Sequence, residues 1–150
     1  HTNALPAGKV ARGFETYTLG MHRAKDNLDV AMRENSVISM EKDYQQRYQG
    51  FDPRSTESYI IFEFIQGKNM ERSVELARMI QRGVCDGANR PDKGVHQAGF
   101  LVLRETSMPG CLIELGFITP PDEERLLNDD SRVDDIARGI YEAFAKYKHT

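Results

Sequence analysis

The sequence has no long apolar run, no metal-type cysteine spacing and no excess of basic charge. Its apolar runs fall far short of the ~18 residues of a membrane-spanning helix, so no membrane span is expected. Its two cysteines, Cys85 and Cys111, form no C-x-x-C pair and predict neither a zinc cluster nor a particular disulfide. A net charge of -3 gives no indication of nucleic-acid binding. The H-E-x-x-H motif and the nucleophile elbow are also absent.

The 150-residue chain has the size and composition of one globular domain. Charged residues make up 29% and hydrophobic residues 39%, which is ordinary for a chain with a buried core. The first residue is His rather than Met, and no basic or apolar export signal follows it. We therefore expect that the chain begins inside a longer one.

Three segments have the composition of β-strands. Residues 13–19 are rich in aromatic and β-branched residues and end at a glycine. Residues 100–104 and 110–117 are short apolar runs, and the second is bounded by prolines. Such a run is typical of a strand that is buried on both faces inside a parallel sheet.

Helical periodicity occupies much of the remaining chain, and residues 85–94 are predicted as a polar loop. Apolar residues at steps of three and four predict helices over 27–34, 35–49, 55–82, 121–127 and 131–147. Strands that alternate with helices predict an α/β fold with a largely parallel twisted sheet and helices on both faces.

Glu114 is an anomaly because it lies in the middle of the apolar run 110–117. An unpaired carboxylate in such a strand is costly, so it needs a cation, a hydrogen-bond donor or a functional opening. The residues alone leave open a structural ion pair, for example with Arg104, and a carboxylate that belongs to a site. His96 follows the predicted loop and is expected at the surface or in a cleft.

Four segments resemble, in order, the zinc-dependent N-acetylmuramoyl-L-alanine amidases of bacterial cell walls: residues 1–4, 14–20, 97–104 and 108–118. The resemblance covers nearly the whole chain. Residues 34–38 and 50–53 make it closest to the amidases of Bacteroides-like Gram-negative bacteria. It implies that residues 1–150 are the C-terminal part of a single amidase catalytic domain whose first strands lie upstream.

The resemblance implies hydrolysis of the amide bond between N-acetylmuramic acid and L-alanine in peptidoglycan by a zinc-activated water. His1, in the H-x-N-A segment, matches a zinc ligand of the family, and Asn3 is a neighbour of the site that could bind substrate. Glu114, in the E-x-G-F segment, matches the family's catalytic glutamate and would act as general base. The family's other histidine and glutamate ligands would lie before His1.

The resemblance also implies a helical insert at about residues 36–52 that an activator protein displaces. Within it, Glu41 could plug the open metal position, and the alternative for Glu41 is an ordinary solvated charge on a surface helix. The implied location is the periplasm or cell envelope, and the implied role is wall remodelling or daughter-cell separation. Two alternatives stay open: a non-catalytic peptidoglycan-binding or regulatory relative, and a generic α/β small-molecule domain.

Overall fold

Three strands form a small sheet with helices packed on both of its faces in the computed structural model. The structure describes residues 1–20, 25–63 and 69–150, and only the backbone of Asp26 and Glu63. The strands are β1 (Phe14–Leu19), β2 (Asp92–Ala98) and β3 (Leu112–Glu114). The α-helices are α1 (Lys25–Asn35), α2 (Tyr44–Arg47), α3 (Met70–Gly87), α4 (Leu101–Arg104), α5 (Pro121–Leu127) and α6 (Asp130–Tyr147), and Ser36–Met40 and Thr56–Glu63 are 3₁₀ helices.

The strand order is β2-β1-β3, with β1 parallel to β2 and antiparallel to β3. The predicted α/β class is confirmed, but the sheet is mixed rather than largely parallel. The reason is the connection between β2 and β3, which contains only the short helix α4. A parallel return normally needs a crossover of a dozen or more residues that includes a full helix.

Side chains of β1 alternate between two apolar cores. Phe14 packs with residues of α3 and α6, whereas Tyr17 packs with residues of α1 and of the 3₁₀ segments. Because successive strand residues point to opposite faces, Glu15 lies on the same face as Tyr17. Glu114 is the direct antiparallel partner of Glu15, so it faces the α1 side as well.

The strongly patterned elements were predicted correctly, namely β1, β3, α1, α5 and α6. The prediction of a strand at residues 100–104 is wrong, because Leu101–Arg104 forms helix α4. A short apolar run does not distinguish a strand from a buried helical turn. Here the side chain of Asn35 accepts a hydrogen bond from the Leu101 backbone N–H (3.0 Å), and this long-range contact fixes the turn.

The predicted loop over 85–94 is also wrong in part. Helix α3 continues to Gly87, and β2 begins at Asp92. In β2 only Ala98 is buried. An exposed edge strand of this kind has no apolar alternation, so period-two patterning could not predict it.

The helix predicted over 55–82 is in fact a 3₁₀ helix at Thr56–Glu63 followed by α3 from Met70, and the middle of the prediction lies outside the described residues. Residues 35–49 form a 3₁₀ helix and the short α2 rather than one helix. Ile38 and Phe51 of this region are buried in the core on the α1 side. No helix in the described part of the chain is long and apolar enough to cross a membrane.

Candidate active site

Glu114 ends the short strand β3 and is fully buried, with 0% of its surface exposed. Neither of its carboxylate oxygens has a hydrogen-bond partner among the described residues. The structural ion pair with Arg104 is therefore not formed, and the guanidinium of Arg104 instead contacts Glu105 (3.1 Å). A buried carboxylate without a partner is costly and is relieved by a proton or by a cation.

His1 lies beside Glu114 because the first residues pair with the strand that carries it. The α-amino nitrogen of His1 donates a hydrogen bond to the Ile113 carbonyl oxygen (2.8 Å), and the Leu115 N–H donates to the His1 carbonyl oxygen (2.9 Å). A parallel bridge between Asn3 and Phe117 continues this pairing. The two residues that the sequence assigned to a metal site and to catalysis therefore lie next to each other.

Glu34 is the third member of this cluster and comes from helix α1. Its carboxylate contacts Nδ1 of His1. One ligand atom from each of His1, Glu34 and Glu114 can be chosen so that all three lie within 4.8 Å of one another. An imidazole nitrogen with two carboxylate oxygens is a ligand set that a divalent metal ion accepts, so the cluster fits a metal.

The pKa values in the cluster show how strongly it needs positive charge. Burial, together with the nearby Glu34 and Glu15 carboxylates, raises the pKa of Glu114 to about 8, against the opposing effect of Arg33. Burial also raises the pKa of Glu34, against the effect of the neighbouring Arg33. Without a cation, burial therefore favours the protonated form of Glu114. A bound metal ion would favour its ionised form.

Asn3 lies at the site, and its side chain is already engaged within the protein. It is 2% exposed. Its amide nitrogen donates to Glu15 (2.6 Å), and its oxygen accepts from Arg33 (2.7 Å) and from the Ala4 N–H (2.8 Å). A side chain with these partners positions its neighbours, and it has little capacity left for the substrate contact that the resemblance implied.

Glu41 lies outside the metal-type cluster. Its carboxylate accepts hydrogen bonds from Arg47 (2.5 Å) and from the Tyr48 hydroxyl (2.9 Å) in the same segment. His96 lies on β2, where its ring packs against Tyr17 with 5.3 Å between centroids. A large groove of about 1820 Å³ runs along α3, β2 and α6 and contains none of the cluster residues, so groove size does not locate the site.

Sequence reasoning missed Glu34 as a member of the site. The helical pattern of α1 contained a usable signal, because Glu34 is four residues after Val30 and three after Ala31, both of which are buried. That spacing places Glu34 on the buried face of the helix. Its contact with His1, however, depends on how α1 packs on the sheet.

A family model described as N-acetylmuramoyl-L-alanine amidase matches residues 1–146 of the chain. N-acetylmuramoyl-L-alanine amidase AmiA of Escherichia coli K12 is 32% identical over 90 residues, which cover 60% of this chain and 31% of that protein. The germination-specific N-acetylmuramoyl-L-alanine amidase of Bacillus subtilis 168 is 32% identical over 87 residues, which cover 56% of this chain and 35% of that protein. The chain thus spans about a third of the length of these curated relatives.

Solved amidase structures have the same fold. The N-acetylmuramoyl-L-alanine amidase from Clostridium difficile 630 matches with a TM-score of 0.62 and 25% identity, over 100% of this chain and 55% of that one. The CwlD amidase from Clostridioides difficile, solved in complex with the GerS lipoprotein, matches with a TM-score of 0.60 and 20% identity, over 99% of this chain and 52% of that one. From the family match over nearly its whole length, the chain belongs to the N-acetylmuramoyl-L-alanine amidase family.

Proposed function

We propose that the protein hydrolyses the amide bond between N-acetylmuramic acid and L-alanine in peptidoglycan, with zinc as cofactor. Family membership supports the substrate class. The observation that carries the proposal is the buried carboxylate of Glu114, which has no hydrogen-bond partner in the described part of the chain and lies beside His1 and Glu34. A domain that only binds peptidoglycan has no need for such a carboxylate. Because the substrate is cell-wall material, the reaction takes place in the cell envelope, in wall remodelling or daughter-cell separation.

The three residues have different roles in this proposal. His1 and Glu34 hold the zinc, since an imidazole and a carboxylate are both common zinc ligands. Glu114 acts as the general base, because it is the most buried of the three and its carboxylate has no hydrogen-bond partner among the described residues. Zinc, when bound, polarises the scissile carbonyl and makes a water molecule acidic enough, with a pKa of about 7, to lose its proton at neutral pH.

Glu114 then carries the proton through the reaction. Its carboxylate takes the proton from the attacking water while the water oxygen forms a bond to the carbonyl carbon. The protonated Glu114 gives the same proton to the nitrogen of L-alanine as the carbon–nitrogen bond breaks, so the amine leaves neutral. Burial on the sheet keeps bulk water away from this carboxylate and favours its protonated form between the two transfers.

The proposal separates metal binding from catalysis, and three substitutions in the natural full-length protein test it. Glu114→Gln lowers turnover of muramoyl peptides by about 10²- to 10⁴-fold, the usual contribution of a general base. It leaves the zinc affinity, measured by competition with a chelating dye, close to that of the wild type. His1→Ala and Glu34→Gln each weaken zinc binding.

Asp29→Asn is the matched control, because Asp29 is an exposed carboxylate on the same helix as Glu34. We expect this variant to keep both zinc affinity and turnover. Equal turnover of Glu114→Gln and wild type would remove the catalytic role of Glu114. Tight binding of peptidoglycan by a wild-type protein that releases no stem peptide would favour the non-catalytic relative instead.

Residues 36–52 are the segment that we propose for contact with a regulatory protein. Support comes from Val37 and Met40, which are 56% and 85% exposed in its first turn. The related CwlD amidase was solved with a lipoprotein bound, so a protein partner is compatible with this fold. For Glu41 to plug the metal position, its carboxylate must leave Arg47 and Tyr48. A rise in basal turnover in Glu41→Gln supports the plug, and unchanged turnover contradicts it.

A further inference from the structure

Arg33 brings a cation to the edge of the candidate active site. It precedes Glu34 on α1, and its Nη1 donates to the side-chain oxygen of Asn3 (2.7 Å). Asn3 is held in place in turn, because its backbone N–H donates to the Gly116 carbonyl oxygen (2.9 Å) and its own carbonyl oxygen accepts from Ile118 (2.8 Å). The guanidinium is therefore fixed to the segment that directly follows Glu114.

Most of the hydrogen-bonding capacity of Arg33 is unused. A guanidinium has five N–H donors. Within the described residues, only the bond to Asn3 is formed, and no carboxylate forms an ion pair with this side chain. Arg33 is only partly buried, and none of its nitrogens is both sealed from solvent and without a partner. The remaining donors are therefore not sealed inside the protein and can be reached by a ligand.

The chain itself holds Arg33 beside the cluster. Arg33 directly precedes the Glu34 carboxylate on α1, and its bond to Asn3 joins it to the segment that follows the Glu114 carboxylate. A structural arginine at such a position would be expected to form a bidentate pair with one of them. Arg33 instead keeps a planar set of donors open, and a ligand can use it.

We propose that Arg33 is a substrate-binding residue that takes a carboxylate on the peptide side of the scissile amide. The inference rests on the proposed function, because it names the part of the substrate that the same site recognises. A guanidinium matches a carboxylate with two parallel hydrogen bonds. In N-acetylmuramoyl-L-alanine the alanine carboxylate is one carbon away from the scissile nitrogen, and in a longer peptide the carboxylates belong to later residues.

Binding is measured by calorimetry in the zinc-loaded natural protein with Glu114→Gln, which prevents turnover. The probes are N-acetylmuramoyl-L-alanine, its carboxamide, and a muramoyl dipeptide whose carboxylates lie only on a glutamate after alanine. We expect one carboxylate probe to bind about tenfold or more tightly than the carboxamide. The probe that binds more tightly than the carboxamide shows whether the recognised carboxylate belongs to alanine or to the next residue.

Arg33→Gln should weaken binding of that carboxylate probe to the level of the carboxamide and leave the carboxamide unchanged. Arg33→Lys keeps the positive charge but cannot donate two parallel hydrogen bonds. Its affinity for the carboxylate probe should therefore lie between the affinities of the protein with Arg33 and of Arg33→Gln. Arg138→Gln is the control, since it removes the same charge from an exposed position on α6. In the Glu114-containing enzyme, Arg33→Gln should raise KM about tenfold or more with kcat within about threefold.

Equal affinity of the Glu114→Gln protein with Arg33 intact for the carboxylate and carboxamide probes overturns the inference. So does an Arg33→Gln variant that loses affinity for all probes alike, because that result indicates a structural role through Asn3. Failure of the proposed function looks different. In that case the zinc-loaded wild-type protein hydrolyses none of the probes, whatever their affinities.

Discussion

The buried ion pair between Arg90 and Glu123 should be one of the main supports of the fold. Arg90 Nη1 and Nη2 donate to the two oxygens of Glu123 (2.8 and 2.7 Å). One of these oxygens also accepts from the backbone N–H groups of Gly13 (3.3 Å) and Phe117 (3.2 Å). The pair therefore joins helix α5 to the start of β1 and to the segment after β3.

Glu123→Gln removes the negative charge and leaves the guanidinium of Arg90 buried without compensation. Both residues are almost fully buried, at 5% and 3% exposure. Breaking a buried pair by removing one partner costs about 3–5 kcal/mol. Since a domain has a free energy of unfolding of about 5–15 kcal/mol, we expect a large fall in the urea midpoint, measured by circular dichroism.

Asp122→Asn is a matched control one residue earlier. Asp122 also pairs with an arginine, Arg12 (2.5 Å), but both side chains are about half exposed, at 47% and 49%. Solvent screens such a pair, so its loss should change the urea midpoint far less than the loss of Glu123. Equal midpoints for the two variants would refute the reasoning that burial decides the effect.

The effect of Glu123→Gln should also depend on pH. Burial opposes ionisation of Glu123, but the hydrogen bonds from Arg90 and from the Phe117 and Gly13 N–H groups outweigh it and lower its pKa. A carboxylate with a lowered folded-state pKa contributes stability above its unfolded pKa of about 4.3. The difference between wild type and variant should be complete at neutral pH and shrink as pH falls through the folded-state pKa.

Two further substitutions test packing on the α3 side of the sheet. A Cβ at Gly139 would lie 2.9 Å from the Val84 Cα, so Gly139→Ala should lower the free energy of urea unfolding by about 1–3 kcal/mol. Gly87→Ala is the control and should not lower this free energy, because the space around Gly87 is open. Gln81→Leu removes the side-chain N–H group that donates to the Phe14 carbonyl oxygen (2.7 Å) and to Asp92 (2.6 Å). A buried group left without its hydrogen bond lowers the free energy of unfolding by about 1–3 kcal/mol, so the thermal midpoint should fall. An unchanged free energy of unfolding in Gly139→Ala would contradict the packing argument, and an unchanged thermal midpoint in Gln81→Leu would contradict the hydrogen-bond argument.

Local patterning was sufficient for the elements that bury one clear face. Helix α6 has an apolar stripe that packs on α3, and β1 alternates between two cores, so both could be predicted from the sequence. The edge strand β2 and helix α4 could not be predicted in this way. Only one residue of β2 is buried, and α4 is fixed by Asn35, a residue that lies far away in sequence.

The candidate site was predicted only in part, for a related reason. Glu114 could be identified because a carboxylate within an apolar run is costly to bury without a partner. Glu34 is one of several charged residues on α1, and only the packing of α1 against the sheet brings it to His1. A charge that is unusual in its own segment can be identified from sequence, whereas a charge that becomes unusual through tertiary contact cannot.

The position of Glu114 depends on strand register, and the pair of Arg90 with Glu123 holds that register. A slip of one residue in β3 would turn Glu114 to the α3 face, away from His1. The pair resists such a slip, because Glu123 binds the Phe117 N–H and Arg90 approaches the Leu115 carbonyl oxygen (3.4 Å). Between them, Gly116 leaves no room for a side chain, since a Cβ there would be 2.8 Å from Glu123.

The same pair should therefore affect the metal centre without touching it. At neutral pH without urea, where the protein is still folded, Glu123→Gln should weaken zinc binding by about tenfold or more, because a slip of β3 would also displace the ligand His1, whose backbone is hydrogen-bonded to Ile113 and Leu115. Asp122→Asn should leave the zinc affinity unchanged, because Asp122 contacts neither Leu115 nor Phe117. Equal zinc affinity in a folded Glu123→Gln variant would mean that β3 keeps its register without the pair, and that the metal centre is positioned by its own strand contacts alone.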